Sequence, residues 1–223
     1  MKWINNVSAW LELAKLFQDP PSLFHHLHGL AWYRGALMAT LPRTQAGLDG
    51  QVVLEIGCAT GDFSGAMVTL GATVHGIDRS NEMVRRAMLR HAAAQFEVAD
   101  AHALPFGEDK FDIVFAASLL NVVSDPAQVL REMVRVCRPN GVLALLVPAA
   151  EFRTAEARRW VSEQRMVARD AAAYMTWHRL AKKVSADQLT QWLDDAGLAH
   201  ARSDSQCLLG GMVRVIHVYP KDR

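Results

Sequence analysis

The chain has 223 residues, 51% hydrophobic and 21% charged, which is enough apolar material for an α/β core and too little charge for wholesale disorder. A formal net charge of +1 excludes the broad basic footprint of a nucleic-acid binder. Three scattered cysteines, Cys58, Cys137 and Cys207, have no metal-ligand spacing and form no disulfide framework, so a reducing, cytoplasmic setting is expected.

The first residues place Trp3, Val7, Trp10, Ala14 and Phe17 on one face of a helix, without the apolar run of a signal peptide or a membrane span. That face would pack on the domain or serve a homodimer or partner contact. Asp19, Pro20 and Pro21 end it. A second helix is expected from Ser22, its cap, through Leu41, with Pro42 as its stop. After a polar linker the pattern alternates. Strands are expected at QVVLEIG, ATVHGID, AQFEVADA, FDIVFAASLL and GVLALLVPA, with helices at DFSGAMVTLG, SNEMVRRAMLRHAA and DPAQVLREMVRVCRP between them. Such alternation means βαβ units and a parallel sheet with helices on both faces. Residues 151–183 then read as one long helical stretch, VSADQLTQWLDDAGL as a helix capped by Ser185, and the tail as two strands about a Gly210-Gly211 turn.

The stretch LEIGCATGDFSGA carries the chemistry. A strand entering a helix through glycines offers backbone N–H groups and a positive helix terminus to a ligand. The dinucleotide fingerprint G-x-G-x-x-G fails here: Ala59 stands at its second glycine and Asp62 at its third. No G-K-[ST] follows either, so a phosphate ligand is a poor match.

Glu55, Gly57 and Gly61 in E-x-G-x-x-x-G, Asp78 closing the second strand and Asp100 closing the third together resemble class I S-adenosylmethionine-dependent methyltransferases, the methyltransferase type 11 group most closely. Leu104-Pro105-Phe106, Phe111-Asp112 and Arg138-Pro139-Asn140-Gly141 match the family's further stretches. The resemblance implies a Rossmann-like fold: a seven-stranded, mostly parallel sheet with helices on both faces and an antiparallel C-terminal hairpin. It implies that Glu55, Gly57, Cys58, Ala59 and Gly61 hold the amino-acid part of the cofactor, and that Asp78, with Arg79 beside it, takes the ribose hydroxyls. Asp100, Ala101 and His102 would take the adenine, with Ser118 and Arg34 completing the set. S-adenosylmethionine would be the cofactor and S-adenosylhomocysteine its product. Two departures stand out: Ala59 replaces the family's middle glycine, and Asn140 a turn glycine, which Asn tolerates because it adopts left-handed geometry.

The expected organisation is one domain over residues 1–223: a helical cap (1–42), a cofactor-binding core (51–148), a helical insert or lid (149–184), and a C-terminal helix with hairpin (185–223). The acceptor, a small molecule rather than a nucleic acid, would sit among His25, His28, Tyr33, Asn121, Trp177 and His178. Each also has a plain packing explanation, and no metal is expected. The basic excess of the insert, eight Lys and Arg against four acids, suits either an anionic acceptor or a solvated face. The alternatives are a non-catalytic cofactor-binding subunit supporting a partner enzyme, and an NAD-dependent oxidoreductase.

Overall fold

The computed structural model describes residues 19–42 and 47–220; the first expected helix lies outside them. Helix α1 spans Pro20–Gly29 and α2 Ala31–Thr40. Strand β1 (Val52–Ile56) leads to α3 (Asp62–Thr69), β2 (Thr73–Asp78) to α4 (Asn81–Arg90), and β3 (Gln95–Val98) through a long loop to β4 (Phe111–Ala117). Helix α5 (Pro126–Val136) precedes β5 (Cys137–Pro148), which α6 (Thr154–Glu163), α7 (Ala168–Leu180) and α8 (Ala186–Asp195) follow. Strands β6 (Arg202–Leu208) and β7 (Val213–Tyr219) close the described chain.

The sheet order is β3-β2-β1-β4-β5-β7-β6. Strands β1 to β5 pair in parallel, and β7 runs antiparallel to both β5 and β6. The order reverses between β1 and β4, so a crevice forms above their carboxyl ends, where ligands of open α/β sheets bind. Residues 141–148 of β5 are all buried, as a central strand covered on both faces requires.

Two apolar cores flank the sheet. One holds α1, α2, α3, α4, α6 and α7 against Val53, Val74, Phe115 and Leu146; the other packs α5 and α8 on Leu54, Val114, Leu143 and Leu145. Each fully buried Leu or Val is worth about 1.5–3 kcal/mol relative to exposure, so this layering dominates the stability. Local signals set the helix starts. Ser80 Oγ accepts the N–H of Met83, Asp125 caps α5 through Gln128, and Ser185 with Gln188 forms a capping box on α8.

Three expectations need correction. The helix expected from Ser22 to Leu41 begins at Pro20 and breaks at Leu30, whose extended backbone (φ −78°, ψ 125°) separates α1 from α2. The prolines occupy the first turn, where their missing N–H costs nothing, and the Ser22 hydroxyl donates to Asp19 instead of capping a helix of its own. The insert is two helices, turned at Arg165 in left-handed geometry (φ 49°). The Gly210-Gly211 connection is a short 3₁₀ turn, Leu209–Gly211, rather than a two-residue hairpin loop.

Candidate functional site

The glycine turn is tied to β2 before any ligand is considered. The N–H groups of Gly57 and Cys58 both donate to the carbonyl of Ile77, at 2.8 and 2.9 Å. Ala59 N–H donates to Asp78 Oδ2 at 3.1 Å, while Asp78 Oδ1 accepts from Ser80 N–H at 2.9 Å. One acid thus joins the turn to the start of α4, and its remaining lone pairs can still accept hydroxyl donors. Ala59 holds φ 47°, the left-handed region that favours glycine.

The two glycines serve different ends. Gly57 (φ 79°) turns its bare face to Leu119, whose Cδ1 would stand 3.3 Å from an added Cβ. Gly61 (φ 74°) faces inward: a Cβ there would lie 2.7 Å from Phe96 and 2.9 Å from Ala87. Gly61 is therefore a packing glycine, letting α3 start close against β3 and α4. Cys58 is buried, and burial pushes its thiol up, away from reactivity.

Three carboxylates surround this turn. Glu55 is buried on β1 and accepts both the hydroxyl and the N–H of Ser64 in the first turn of α3. Burial, only partly offset by those donors, pushes its carboxyl up to about 8. Asp62 opens α3 and accepts from the Thr60 hydroxyl at 2.5 Å and pairs with His25 Nδ1 at 2.9 Å. Burial pushes Asp62 up, but Thr60 and His25 outweigh it and hold the carboxyl below its usual range. Asp78 completes the group, and both Asp62 and Asp78 raise Glu55 further. Glu55 keeps its proton near neutral pH, so Asp62 and Asp78 carry the negative charge at this turn, which disfavours a pyrophosphate and suits a ligand without one.

Across the crevice, Ser118 follows the last residue of β4 and is also left-handed (φ 51°), its N–H held by the carbonyl of Leu146 at 2.8 Å. Its Oγ is buried without a hydrogen-bond partner among the described residues, and so is Oδ1 of Asn121 three residues later. A buried polar atom left unmet costs about 1–3 kcal/mol, so two of them at one strand end mark a place built for something else to complete.

On the third side Asp100 Oδ1 accepts from both the N–H and Nδ1 of His102, at 2.9 and 2.7 Å. His102 Nε2 faces the Asp125 N–H and the Ser124 hydroxyl, each at 3.3 Å. The Asp125 N–H can only donate, so Nε2 accepts and Nδ1 carries the proton. His102 therefore braces the Asp100 loop against the cap of α5. The His102 N–H and ring hold the Asp100 carboxyl low.

The N-terminal helices lie over the same end. His25 reaches Asp62, and His28 Nδ1 meets the carbonyl of Phe24 at 2.8 Å, burial lowering its pKa. Tyr33 is buried, edge-on to His28, Trp32 and Trp177, and burial together with Glu55 pushes its hydroxyl up. Arg34 and Arg79 are exposed. His178 is buried on α7, its Nε2 3.3 Å from the Thr154 hydroxyl and its Nδ1 unpartnered among the described residues. Glu55, Gly57, Cys58, Ala59, Gly61 and Asp78 thus share one connected turn, and Asp100, Ala101 and His102 share one loop; His25 reaches the turn through Asp62, Trp177 packs on Tyr33 and Trp32 of α2, and His178 stays within the insert. The sequence reading missed Ser64, which fastens Glu55, and Leu119, which faces Gly57; a serine nine residues from its partner and a leucine among leucines carry no signal. A cleft of about 390 Å³ lined by Gln51, Asp112 and Asn140 lies at the opposite end, where β4 and β5 begin.

Residues 54–145 match the family model described as a methyltransferase domain. Those residues carry a methyltransferase domain. Its family uses S-adenosylmethionine. The ubiquinone biosynthesis O-methyltransferase of Thiobacillus denitrificans is 32% identical over 140 residues, 60% of this chain and 59% of that one. The chain thus spans less than two thirds of the curated relatives it matches. A solved S-adenosylmethionine-dependent methyltransferase from Mesorhizobium loti superposes with a TM-score of 0.60 at 20% identity, over 86% of this chain and 99% of that one. The magnesium protoporphyrin IX methyltransferase of Synechocystis, solved with bound S-adenosylhomocysteine, gives 0.54 at 18% identity over 77% and 74%. At those identities the likeness shows the shared fold alone. Among the described residues no helix is long and apolar enough to cross a membrane.

Proposed function

We propose that the chain is an S-adenosylmethionine-dependent methyltransferase acting on a small-molecule acceptor. The observation that carries this reading is the pair of carboxylates, Asp62 and Asp78, at a glycine turn that lacks the dinucleotide fingerprint. A cofactor with a sulfonium and an ammonium and no phosphate fits beside those acids; the pyrophosphate of a nicotinamide dinucleotide does not. The unmet Ser118 Oγ and Asn121 Oδ1 supply a second point of fit, since both sit at the strand end beside the turn.

When bound, S-adenosylmethionine supplies a methyl group already activated by the sulfonium. The residues of this chain supply position. Asp78 accepts the ribose hydroxyls with the lone pairs left by Ala59 and Ser80. Asp100, held by His102, and the adjoining Ala101 receive the adenine. Glu55 and the turn backbone orient the amino-acid end. Tyr33 and Trp177 close the crevice from above and keep water out, and alignment with exclusion of water supplies most of the rate of an in-line displacement. No dedicated base is assigned. The scattered free thiols support a cytoplasmic setting, and the O-methyltransferase names of the relatives support a small molecule.

Calorimetric titration with S-adenosylhomocysteine and, in parallel, NADH tests the reading. Binding of the first alone, weakened in Asp78→Asn, is expected; binding of NADH alone would replace a methyltransferase by an oxidoreductase.

A further inference from the structure

His102 joins the loop after β3 to the start of α5, and its ring nitrogens have separate tasks. Nδ1 donates to Asp100 Oδ1 at 2.7 Å, the same oxygen that accepts the His102 backbone N–H. Nε2 accepts the Asp125 N–H at 3.3 Å, and the Ser124 hydroxyl lies equally near. Both donors of His102 thus fall on one carboxylate oxygen, leaving Oδ2, on a side chain that is 70% exposed, open to a donor from outside the chain.

The rest of the loop is fastened independently. The Leu104 N–H donates to Glu132 Oε2 at 2.7 Å, and Arg135 donates to the carbonyls of Phe106 and Leu104, at 2.7 and 3.1 Å. Gln128 Nε2 donates to the His102 carbonyl at 3.1 Å. These bonds hold the loop backbone to α5, so the direction of the Asp100 carboxylate is what the His102 ring controls.

The ring can do this in one charge state. A proton added at Nε2 would set two N–H groups against each other across the 3.3 Å to Asp125. It would also place a cation 2.7 Å from Asp100 Oδ1, where it draws on the charge that Oδ2 offers to a further donor. The other charged groups about the ring are Arg79 beyond β2, and Asp125 with its partner Arg131 on α5. Imidazole is the side chain that ordinarily changes charge between pH 5 and 8.

We propose that His102 is a positioning residue for the cofactor: neutral, it aims Asp100 Oδ2 at the adenine amino group, and protonated, it withdraws that acceptor, so that cofactor affinity falls in acid. The identity of the ligand rests on the methyltransferase reading above; the coupling of His102 to Asp100 rests on the geometry alone.

Calorimetric titration of S-adenosylhomocysteine at pH 7.5 and 5.5 tests this, with two variants that divide the ring's tasks. The amide nitrogen of Asn reaches about as far as Nδ1, so His102→Asn keeps a donor for Asp100 and cannot ionise. The amide oxygen of Gln reaches about as far as Nε2, so His102→Gln keeps an acceptor for Asp125 and gives up the donor to Asp100. The wild type is expected to weaken roughly tenfold from pH 7.5 to 5.5, the size of one charge-assisted hydrogen bond. His102→Asn should bind nearly as the wild type does at pH 7.5 and keep that affinity at pH 5.5, which also shows that the fold survives the acid. His102→Gln should be weaker than the wild type at pH 7.5 and no weaker at pH 5.5. Long-range ¹H–¹⁵N spectra, with the His102 signals identified by their loss in His102→Asn, should show Nε2 without a proton at pH 7.5. Equal wild-type affinity at the two pH values, an acid loss that persists in His102→Asn, wild-type affinity in His102→Gln, or a proton on Nε2 at pH 7.5 each overturns the proposal and leaves the methyltransferase reading standing. A wild type that does not bind S-adenosylhomocysteine at pH 7.5 removes that reading, and the proposal with it.

Discussion

The backbone N–H of Ala59 donates to the carboxylate of Asp78, 19 residues away, at 3.1 Å. This bond joins the turn after β1 to the end of β2 and sets the distance between the two groups expected to hold adjoining parts of one cofactor, its amino-acid end and its ribose. A left-handed Ala59 is what points its N–H at that acid.

The cost of that geometry is measurable. An alanine at φ 47° carries about 1–2 kcal/mol of strain that glycine avoids, part of which glycine returns as extra chain entropy when unfolded. Ala59→Gly is expected to be neutral to about 1 kcal/mol more stable in urea, with cofactor affinity kept. A loss of more than 1 kcal/mol would show that the Ala59 methyl is needed for packing.

The glycines of α2 and of the turn should respond in opposite directions. Gly61→Ala forces a methyl to within 2.7 Å of Phe96 at φ 74°, so overpacking and backbone strain together should cost about 2–4 kcal/mol. Gly35→Ala adds a methyl in open space within a helix and should gain about 0.5–1 kcal/mol. Thermal melts of the two variants against the wild type measure both.

Glu55 makes stability depend on pH. Its folded-state pKa, about 8, stands above the unfolded value of 4.5, so the folded chain holds a proton that the unfolded chain releases. The contribution is fully present below about pH 4.5 and is lost as pH rises through about 8. Glu55→Gln, which keeps an acceptor for Ser64 and cannot ionise, should match the wild type near pH 5 and melt higher than it at pH 9. Equal melting at both values would mean that the Glu55 carboxylate is solvated in the folded chain.

Much of this was legible in the sequence, because strands and helices with strong periodicity leave marks in it. VVLEI and GVLALLVP read as buried strands, and Asp78 and Asp100 stand near strand ends where an open sheet gathers its ligands. The capping Ser185 announced its helix. The break at Leu30 was not legible: the residue continues the apolar stripe on both sides, and only packing of α2 across β5 and β7 sets its direction. The same holds for the site. Glu55 was visible, but the Ser64 that fastens it and the left-handed Ser118 opposite depend on contacts between segments that no local pattern encodes.

Calorimetric titration of S-adenosylhomocysteine into the wild type and Asp78→Asn tests the central claim most directly. The carboxylate accepts charge-assisted hydrogen bonds worth about 1.5–3 kcal/mol, so the substitution should weaken binding roughly tenfold to a hundredfold, with NADH silent throughout. Unchanged affinity in Asp78→Asn, or tight binding of NADH, would contradict the assignment of this turn and its acid to the cofactor.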